Sequence, residues 1–319
     1  MNPFNLLQQL PAQLKQPAVR DLAWTLTAPP LLLQAQWPQR HPLASSHWAQ
    51  EPARLLDWLQ QLDQDATELE IWLARSSIRR LGLYYEKLWQ FALNNAPGVQ
   101  LLAANVAIRQ GAHTLGEMDL LSRDAEGDHH TELACKFFLG PTHACASEPL
   151  NWLGPGGQDR LGLKLAHLCQ RQLTLSSRPE AQAALTNLHI QDVQAELWLG
   201  GYLFYPWPNG CAMPRGAHPQ HLRGHWLHLR QWADFAAQNQ IGHWQILPRS
   251  RWLAPARADQ TSSLDLAQLT EQLQEHSHAP SPQLVAQLAQ CADGDWHELQ
   301  RVFVVSDNWP NNNESLAGA

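Results

Sequence analysis

Three strand-like segments in quick succession restrict the fold of this chain more than any other feature. They cover about 99–108, 113–122 and 130–139. The dipeptide Gln110-Gly111 separates the first two, and the turn-forming stretch 123–128 separates the second from the third. Short segments joined by such turn residues are typical of an antiparallel hairpin or meander.

Helical patterns lie on both sides of these segments. One covers about 78–95, and the other covers about 158–175 after a Gly/Pro-rich loop. In both, apolar residues recur at helical spacing. A further strand is expected over about 195–205. The predicted fold class is therefore α/β, with an αβββαβ core and a mixed central sheet.

The remainder of the chain flanks this core. One helix is expected from Arg54 to Ala74. After the core, the expected elements are a helix at about 221–238, a strand at 243–247, a helix at 282–292 and a strand at 301–306. We predict a helical N-terminal region (1–75), the core (76–206), a Trp-rich C-terminal α/β extension packed on the core (207–305) and a disordered tail (306–319).

Composition narrows the functional classes. The 319 residues carry a formal charge of −7, which argues against a protein that coats nucleic acid but leaves room for one local basic patch. The five Cys form no CxxC pair, which indicates reduced thiols and a cytoplasmic location. The N-terminus has no signal-peptide pattern. No apolar run reaches the roughly 20 residues of a membrane span, so no membrane partner is expected.

Five charged residues lie on three elements of the predicted core. Glu86 lies in the first helix, Glu117 and Asp119 in the second strand, and Glu132 and Lys136 in the third. Side chains two apart in a strand share a face, so Glu117 points the same way as Asp119, and Glu132 the same way as Lys136. Charges are costly to bury without partners. A shared face of carboxylates and one ammonium therefore suggests a metal site.

These residues resemble the PD-(D/E)XK phosphodiesterase superfamily, which has the restriction-endonuclease-like fold. More closely, they resemble an uncharacterised bacterial domain-of-unknown-function family that is assigned to it. The resemblance covers about a third of the chain. It rests on the order of four stretches: Gly82-Leu83-Tyr84-Tyr85-Glu86-Lys87-Leu88-Trp89, Gly116-Glu117-Met118-Asp119, Glu132-Leu133-Ala134-Cys135-Lys136 and Asp159-Arg160-Leu161 with Lys164 and Gln172.

The resemblance implies a metal-dependent nuclease. It assigns catalytic roles to Glu86, Asp119, Glu132 and Lys136, and it makes the three acids the ligands of Mg²⁺ or Mn²⁺. Glu117, which shares a strand face with Asp119, is a further candidate ligand. Such ions take carboxylate oxygens, water and substrate phosphate as ligands. The resemblance also places Arg160, Lys164 and Gln172, with Asp159 beside them, against the phosphodiester backbone. The expected partner is nucleic acid, DNA more than RNA.

One position departs from the superfamily pattern. Ala134 stands where an acid two residues before the lysine is usual, and Glu132 is four residues from Lys136. That spacing is about 13 Å along a regular strand. Both residues can then contact one metal only if a bulge intervenes, or Glu86 or Glu117 must supply the missing carboxylate.

Three other interpretations stay open on the sequence. The core is an inactive module that binds nucleic acid or a protein, with Ala134 marking the loss of activity. Alternatively, the Trp-rich C-terminal part contacts a protein partner, although a Trp cluster more often forms a core. His221, His225 and His228 recur at helical spacing, which permits a zinc face, but no Cys or carboxylate completes it.

Overall fold

The computed structural model describes residues 2–33, 38–75, 80–258, 262–275 and 282–310. Within them the protein is a mixed α/β structure. Its α-helices are α1 (Leu10–Gln13), α2 (Pro17–Thr27), α3 (His47–Gln50), α4 (Pro52–Gln64), α5 (Thr67–Ala74), α6 (Leu81–Asn95), α7 (Leu161–His167), α8 (Gln182–Asn187), α9 (Trp232–Gln238) and α10 (Leu266–Glu275). Its strands are β1 (Gln100–Gln110), β2 (His113–Asp124), β3 (Gly127–Leu139), β4 (Val193–Pro206), β5 (Leu222–His228), β6 (His243–Leu247), β7 (Arg257–Ala258), β8 (Gln283–Gln290) and β9 (Trp296–Val305).

The chain divides into two compact units, each assembled from three stretches. Unit 1 comprises 1–135, 164–201 and 216–221, and unit 2 comprises 136–163, 202–215 and 222–319. Strands β3 and β4 each continue from one unit into the other. No helix within the described ranges combines the length and the apolar character that a membrane crossing requires.

Unit 1 contains the predicted meander. Strand β1 pairs antiparallel with β2, and β2 pairs antiparallel with β3, so the expectation that the strands of Asp119 and Glu132 are antiparallel neighbours is confirmed. The expected helices are also present: α6 precedes the meander, and α7 follows it with a π-helical turn, Leu168–Gln172. The order αβββαβ is therefore observed, and the restriction-endonuclease-like assignment stays a prediction.

Helices and turns cover the sheet of unit 1 with apolar side chains. On α6, Tyr85 and Trp89 are fully buried, and the Tyr85 hydroxyl lies so close to Gly200 of β4 that a Cβ there would stand 2.7 Å from it. A separate apolar cluster joins Ile108 and Met118 of the meander to the segment after the π-helical turn, through Leu175. These contacts fix α6 against β4, and they fix the 173–190 segment against β1 and β2, the latter being the strand of Glu117 and Asp119.

Unit 2 is a mixed sheet with its own core. Its strand order is β3-β4-β5-β9-β8-β6, with β7 paired to β9; β5 is parallel to β4 and β9, and β8 is antiparallel to β9 and β6. Trp232 and Trp244 are buried in contact, with ring centroids 5.5 Å apart. The interpretation of the C-terminal Trp residues as a core is confirmed for these two.

Two predicted helices are strands in the structure. The first half of the predicted helix at 221–238 is β5, and only its second half, α9, is helical. On a strand His225 and His228 project to opposite faces, so the helical histidine face does not exist. The predicted helix at 282–292 is β8, whose residues 284–288 are all buried within the sheet of unit 2. Burial between neighbouring strands overrides the helical propensity of its Leu, Ala and Gln residues.

Other boundaries also differ from expectation. The single helix expected from Arg54 to Ala74 is two helices, α4 and α5, because the chain leaves helical geometry at Asp65. The predicted tail falls mostly outside the described residues, which end at Pro310. The predicted region boundaries at 75/76, 206/207 and 305/306 stay predictions.

Candidate functional site

Three polar residues form a row across the meander of unit 1. Asn105 lies between Ala104 and Val106, which pair with Leu120 and Met118, so it stands opposite Asp119. The β2–β3 register runs through Leu120 and Thr131, and the next position brings Asp119 beside Glu132. Directly opposed residues of neighbouring strands lie on one face of a sheet. The meander therefore presents Asn105, Asp119 and Glu132 together.

Asn105 connects this row to α6. Its Nδ2 donates to Glu86 Oε2 at 3.1 Å, and its Oδ1 accepts from Gln90 Nε2 at 2.9 Å. Its backbone has a φ of 54°, in the left-handed region that Asn tolerates better than most residues. The unusual backbone and the two hydrogen bonds fix the position of the Glu86 carboxylate relative to β1.

Glu132 is the most enclosed member, with 1% of its surface exposed. Oε1 accepts from His130 Nε2 at 2.8 Å, and Oε2 accepts from Gln172 Nε2 at 2.7 Å. Since a carboxylate only accepts, Nε2 carries the His130 proton, and Nδ1 of a neutral ring then accepts from Ser176 Oγ at 3.1 Å. His130 and Glu132 therefore lie on the same face of β3.

Asp119 ends the regular pairing of β2 with β3. Its Oδ2 accepts a hydrogen bond from the backbone N–H of Leu133 at 2.8 Å. In regular pairing, a backbone carbonyl of the neighbouring strand accepts from such an N–H. Burial raises the pKa of Asp119 to about 8, and the charges of Glu132 and Glu86 act in the same direction. The Leu133 hydrogen bond and the Lys164 ammonium oppose this rise.

Glu86 and Glu117 complete a group of acids that we call the carboxylate cluster: Glu86, Glu117, Asp119 and Glu132. Burial raises the pKa of Glu86, and the charges of Glu132 and Glu117 raise it further, against the opposing hydrogen bond from Asn105. Glu117 itself is exposed. The structure thus brings together all four acids predicted as metal ligands, close enough for their charges to repel.

The raised pKa of Asp119 leads to a pH-dependent stability. Between the ordinary value of 3.8 and about 8, the folded protein binds more protons at Asp119 than the unfolded chain does, so stability falls as pH rises through this window. Asparagine cannot ionise. We expect Asp119→Asn to be more stable than the parent by at least about 1 kcal/mol at pH 8, with the difference vanishing near pH 4.

Urea unfolding at pH 4, 6 and 8 in EDTA measures this difference. The matched control is Asp57→Asn, a change at an exposed aspartate of α4, for which the parent and variant curves should stay together. A stability gap for Asp119→Asn that is the same at all three pH values would show that ionisation of Asp119 in its buried position is not its cause.

The remaining predicted site residues are divided between the two units: Lys164 and Gln172 lie in unit 1, and Lys136 and Arg160 lie in unit 2. In unit 1, Lys164 Nζ donates to Gln172 Oε1 at 3.3 Å, and Gln172 in turn holds Glu132. In unit 2, Lys136 Nζ lies 3.6 Å from Asp159 Oδ2, and Arg160 Nη1 donates to Leu150 O at 3.0 Å. Lys164 is therefore the lysine whose charge acts on Asp119, and Gln172 is a hydrogen-bond partner of the carboxylate cluster.

Across the described residues, no group of three or more His, Cys, Asp or Glu side chains stands in the geometry of a bound metal ion. The cluster nevertheless has acceptor capacity for one. A carboxylate offers about four lone-pair positions, and Asp119 Oδ1 and Glu86 Oε1 make no hydrogen bond within the described chain. A divalent cation would relieve the mutual repulsion of the acids.

Sequence reasoning missed two members of this site. Asn105 has a detectable signal, because it is a polar residue in the middle of the apolar run Leu101 to Ile108 and one that favours positive φ. Ser176 has none, because its contact with His130 joins residues 46 apart in the chain.

Comparison with known families gives one assignment. Residues 20–305 match the model of the family described as "Domain of unknown function (DUF1853)", and the chain belongs to this family. Searches of curated proteins and of solved structures gave no match. The description of the family names no activity, so the relation to PD-(D/E)XK enzymes stays a prediction.

Proposed function

We propose that the protein is a divalent-metal-dependent hydrolase of nucleic-acid phosphodiesters, a member of the PD-(D/E)XK class. The carboxylate cluster carries this proposal. Glu86 comes from α6, Glu117 and Asp119 from β2, and Glu132 from β3. Burial and, to a smaller extent, neighbouring acids raise the pKa of Glu86 and Asp119. Perturbed carboxyls gathered in this way are more typical of functional sites than of structural ones.

The residues fit Mg²⁺ or Mn²⁺ by their chemistry. Asp119 and Glu86 each offer a carboxylate oxygen without a hydrogen bond in the described chain, and Glu132 retains lone pairs beyond its two hydrogen bonds. Oxygen ligands of this kind suit both ions. A bound ion supplies phosphoryl polarisation and a water of lowered pKa. In this proposal Glu86 and Glu117 replace the carboxylate that the superfamily usually has at the position of Ala134.

The protein's own groups have separable tasks in this proposal. His130 and Gln172 hold the Glu132 carboxylate in one orientation, and Ser176 fixes the His130 ring. Asn105 does the same for Glu86. Lys164, already acting on Asp119, is placed to stabilise charge on a phosphoryl group at the cluster. Lys136 remains the alternative lysine by its place in the sequence motif.

A second candidate function is an inactive module that binds nucleic acid or a protein. The contacts of Glu132 favour this function. Each of its carboxylate oxygens accepts a hydrogen bond from another side chain, and the residue is buried. A buried carboxylate satisfied in this way needs no metal to be stable. Ala134 is consistent with a lost catalytic acid.

Metal binding separates these two functions. We expect Mn²⁺ at a hundred times its Kd to raise the melting temperature by about 3 °C or more, because a ligand bound only to the folded state adds stability by mass action. Melts in EDTA and in Mn²⁺ measure the shift. Asp119→Ala should abolish it, whereas Asp57→Ala should keep it.

A shift of equal size in Asp119→Ala would assign Mn²⁺ to another site, and no shift in the parent would favour the inactive module. Cleavage of DNA or RNA in the presence of the metal is the direct test of the proposed function. Its expected mutational pattern is given in the Discussion.

A further inference from the structure

A second polar site lies in unit 2, in a cavity of about 270 Å³. Thirteen of the described residues line it, all of them in unit 2, and none of these thirteen is acidic. Three of the thirteen, His143, Arg160 and His228, can carry positive charge. In a chain with a formal charge of −7, a cavity lined by three basic residues and no acid has the electrostatics of an anion site.

Arg160 provides the fixed positive charge. Its Nη1 donates to Leu150 O at 3.0 Å, which sets the orientation of the guanidinium, and its other donors have no acceptor within the described chain. The acid next to it in sequence, Asp159, is 3.6 Å from Lys136 Nζ. Arg160 therefore keeps several donors available for an anion in the cavity.

The histidines and a hydroxyl add further donors. His228 Nδ1 donates to Ser306 O at 3.0 Å, so its ring can donate to an anion through Nε2 when it is protonated. His143 and Thr142 are exposed on the loop that follows β3, and their side chains make no hydrogen bond with any described residue. Arg160, His143, His228 and Thr142 together can contact more anionic oxygens than a carboxylate has, and this number suits a phosphate group.

Two largely buried Trp rings form part of the remaining wall. Trp226 and Trp309 line the cavity with ring centroids 4.9 Å apart. Trp309 Nε1 donates to Pro155 O at 2.8 Å, and Trp226 Nε1 donates to Gly140 O at 2.9 Å, so both rings are anchored without a ligand. The volume equals that of about nine water molecules, which is more than a phosphate group alone fills.

We propose that this cavity binds a phosphate monoester, with Arg160 as the principal ligand of the phosphate and the Trp226–Trp309 wall in contact with the attached organic group. The ester is a free mononucleotide or the 5′-phosphate end of a nucleic-acid strand. This site stands whether or not the carboxylate cluster of unit 1 holds a metal.

Calorimetric titration in EDTA tests the site with inorganic phosphate, adenosine 5′-monophosphate and acetate. We expect the nucleotide to bind roughly tenfold more tightly than phosphate through contact with the aromatic wall, and acetate to bind more weakly than both. Arg160→Gln should weaken nucleotide binding by about tenfold or more, because it removes a charge-assisted hydrogen bond. Arg251→Gln, at an exposed arginine outside the cavity, should leave it unchanged.

Two short DNA strands, with a 5′-phosphate and with a 5′-hydroxyl, identify the source of the ester. Preference for the phosphorylated strand assigns a nucleic-acid end, and binding of the nucleotide but of neither strand assigns a free nucleotide. The proposal is overturned if the folded parent binds no phosphate probe, if acetate binds as tightly as the nucleotide, or if both Arg160→Gln and His143→Gln bind like the parent. Because EDTA is present throughout, a failed metal site cannot produce these results.

Discussion

Asp119→Ala is expected to lower metal-dependent cleavage of DNA by about a hundredfold to a thousandfold, the usual cost of losing one preorganised electrostatic group at a reacting phosphate. The parent should cleave only when Mg²⁺ or Mn²⁺ is present. Asp119 is the acid whose pKa is raised to about 8 by burial and by its neighbours Glu132 and Glu86. Asp119→Ala removes the carboxylate whose negative charge a bound cation would stabilise most.

Replacement of Glu132 distinguishes a ligand from a buried structural acid. Glu132→Gln keeps the size of the side chain and can still accept one hydrogen bond where Glu132 accepts two, from His130 and Gln172. If Glu132 contacts the metal, this variant should lose both the Mn²⁺ melting shift and the cleavage. If Glu132 only satisfies His130 and Gln172, Mn²⁺ affinity should persist and cleavage should fall only in part.

The same cleavage assay distinguishes the role of Lys164 from that of Lys136. Lys164→Met should abolish cleavage and leave Mn²⁺ binding intact, because an ammonium is not a metal ligand. Lys136→Met should do the same if the lysine of the sequence motif is the functional one. Linear double-stranded DNA, single-stranded DNA and RNA serve as substrates, with EDTA controls. A folded parent that cleaves none of them would leave the inactive module as the function.

Arg301→Met is expected to lower the free energy of unfolding by about 3–5 kcal/mol, the cost of breaking a buried ion pair on one side. Arg301 is 1% exposed, and its guanidinium bonds both oxygens of Glu298 at 2.6 and 2.9 Å. It also donates to the carbonyls of Trp252 and Ala254 at 2.7 and 3.0 Å and lies 4.0 Å from the Tyr202 ring centre. Methionine fills the space but leaves these acceptors without their donor.

Urea unfolding of the two single variants and the double variant measures this pair. Because Glu298 and Arg301 share one network, the loss in Arg301→Met with Glu298→Gln should be smaller than the sum of the two single losses. Arg251→Gln is the control for removing an exposed arginine of the same unit. A loss below about 1 kcal/mol for Arg301→Met would show that water replaces the guanidinium.

The sequence predicted correctly those elements for which the strand-like segments and the turn residues between them indicate the same structure. The meander β1–β3 has strand-like segments with turn residues at 110–111 and 123–128, and all three strands were placed within three residues at each end. That order also predicts the antiparallel pairing of the strands that carry Asp119 and Glu132. Glu117, Asp119 and Glu132 are candidates for the same reason, since they lie on strands with a clear pattern, whereas the choice of Glu86 rests on the resemblance to PD-(D/E)XK enzymes.

Long-range contacts decided what local sequence could not. Leu284, Val285 and Leu288 satisfy a helical spacing as well as a buried strand, and only the neighbours of β8 select the strand. The same holds for the partners of Glu132, because Gln172 is 40 residues away in the chain. The sequence interpretation of Gln172 as a substrate contact did not include its bond to Glu132.

The position of β9 has a consequence for synthesis of the protein. It is the last strand within the described residues, yet it lies between β5 and β8, and it pairs Val302 with His225 of β5, 77 residues earlier. During translation, β5 and β8 leave the ribosome with unpaired edges, which are prone to aggregation. The sheet of unit 2 can be completed only after β9 has been synthesised, because β9 supplies the pairing partner of both β5 and β8. A chain that stops before Trp296 leaves both strands without the partner between them.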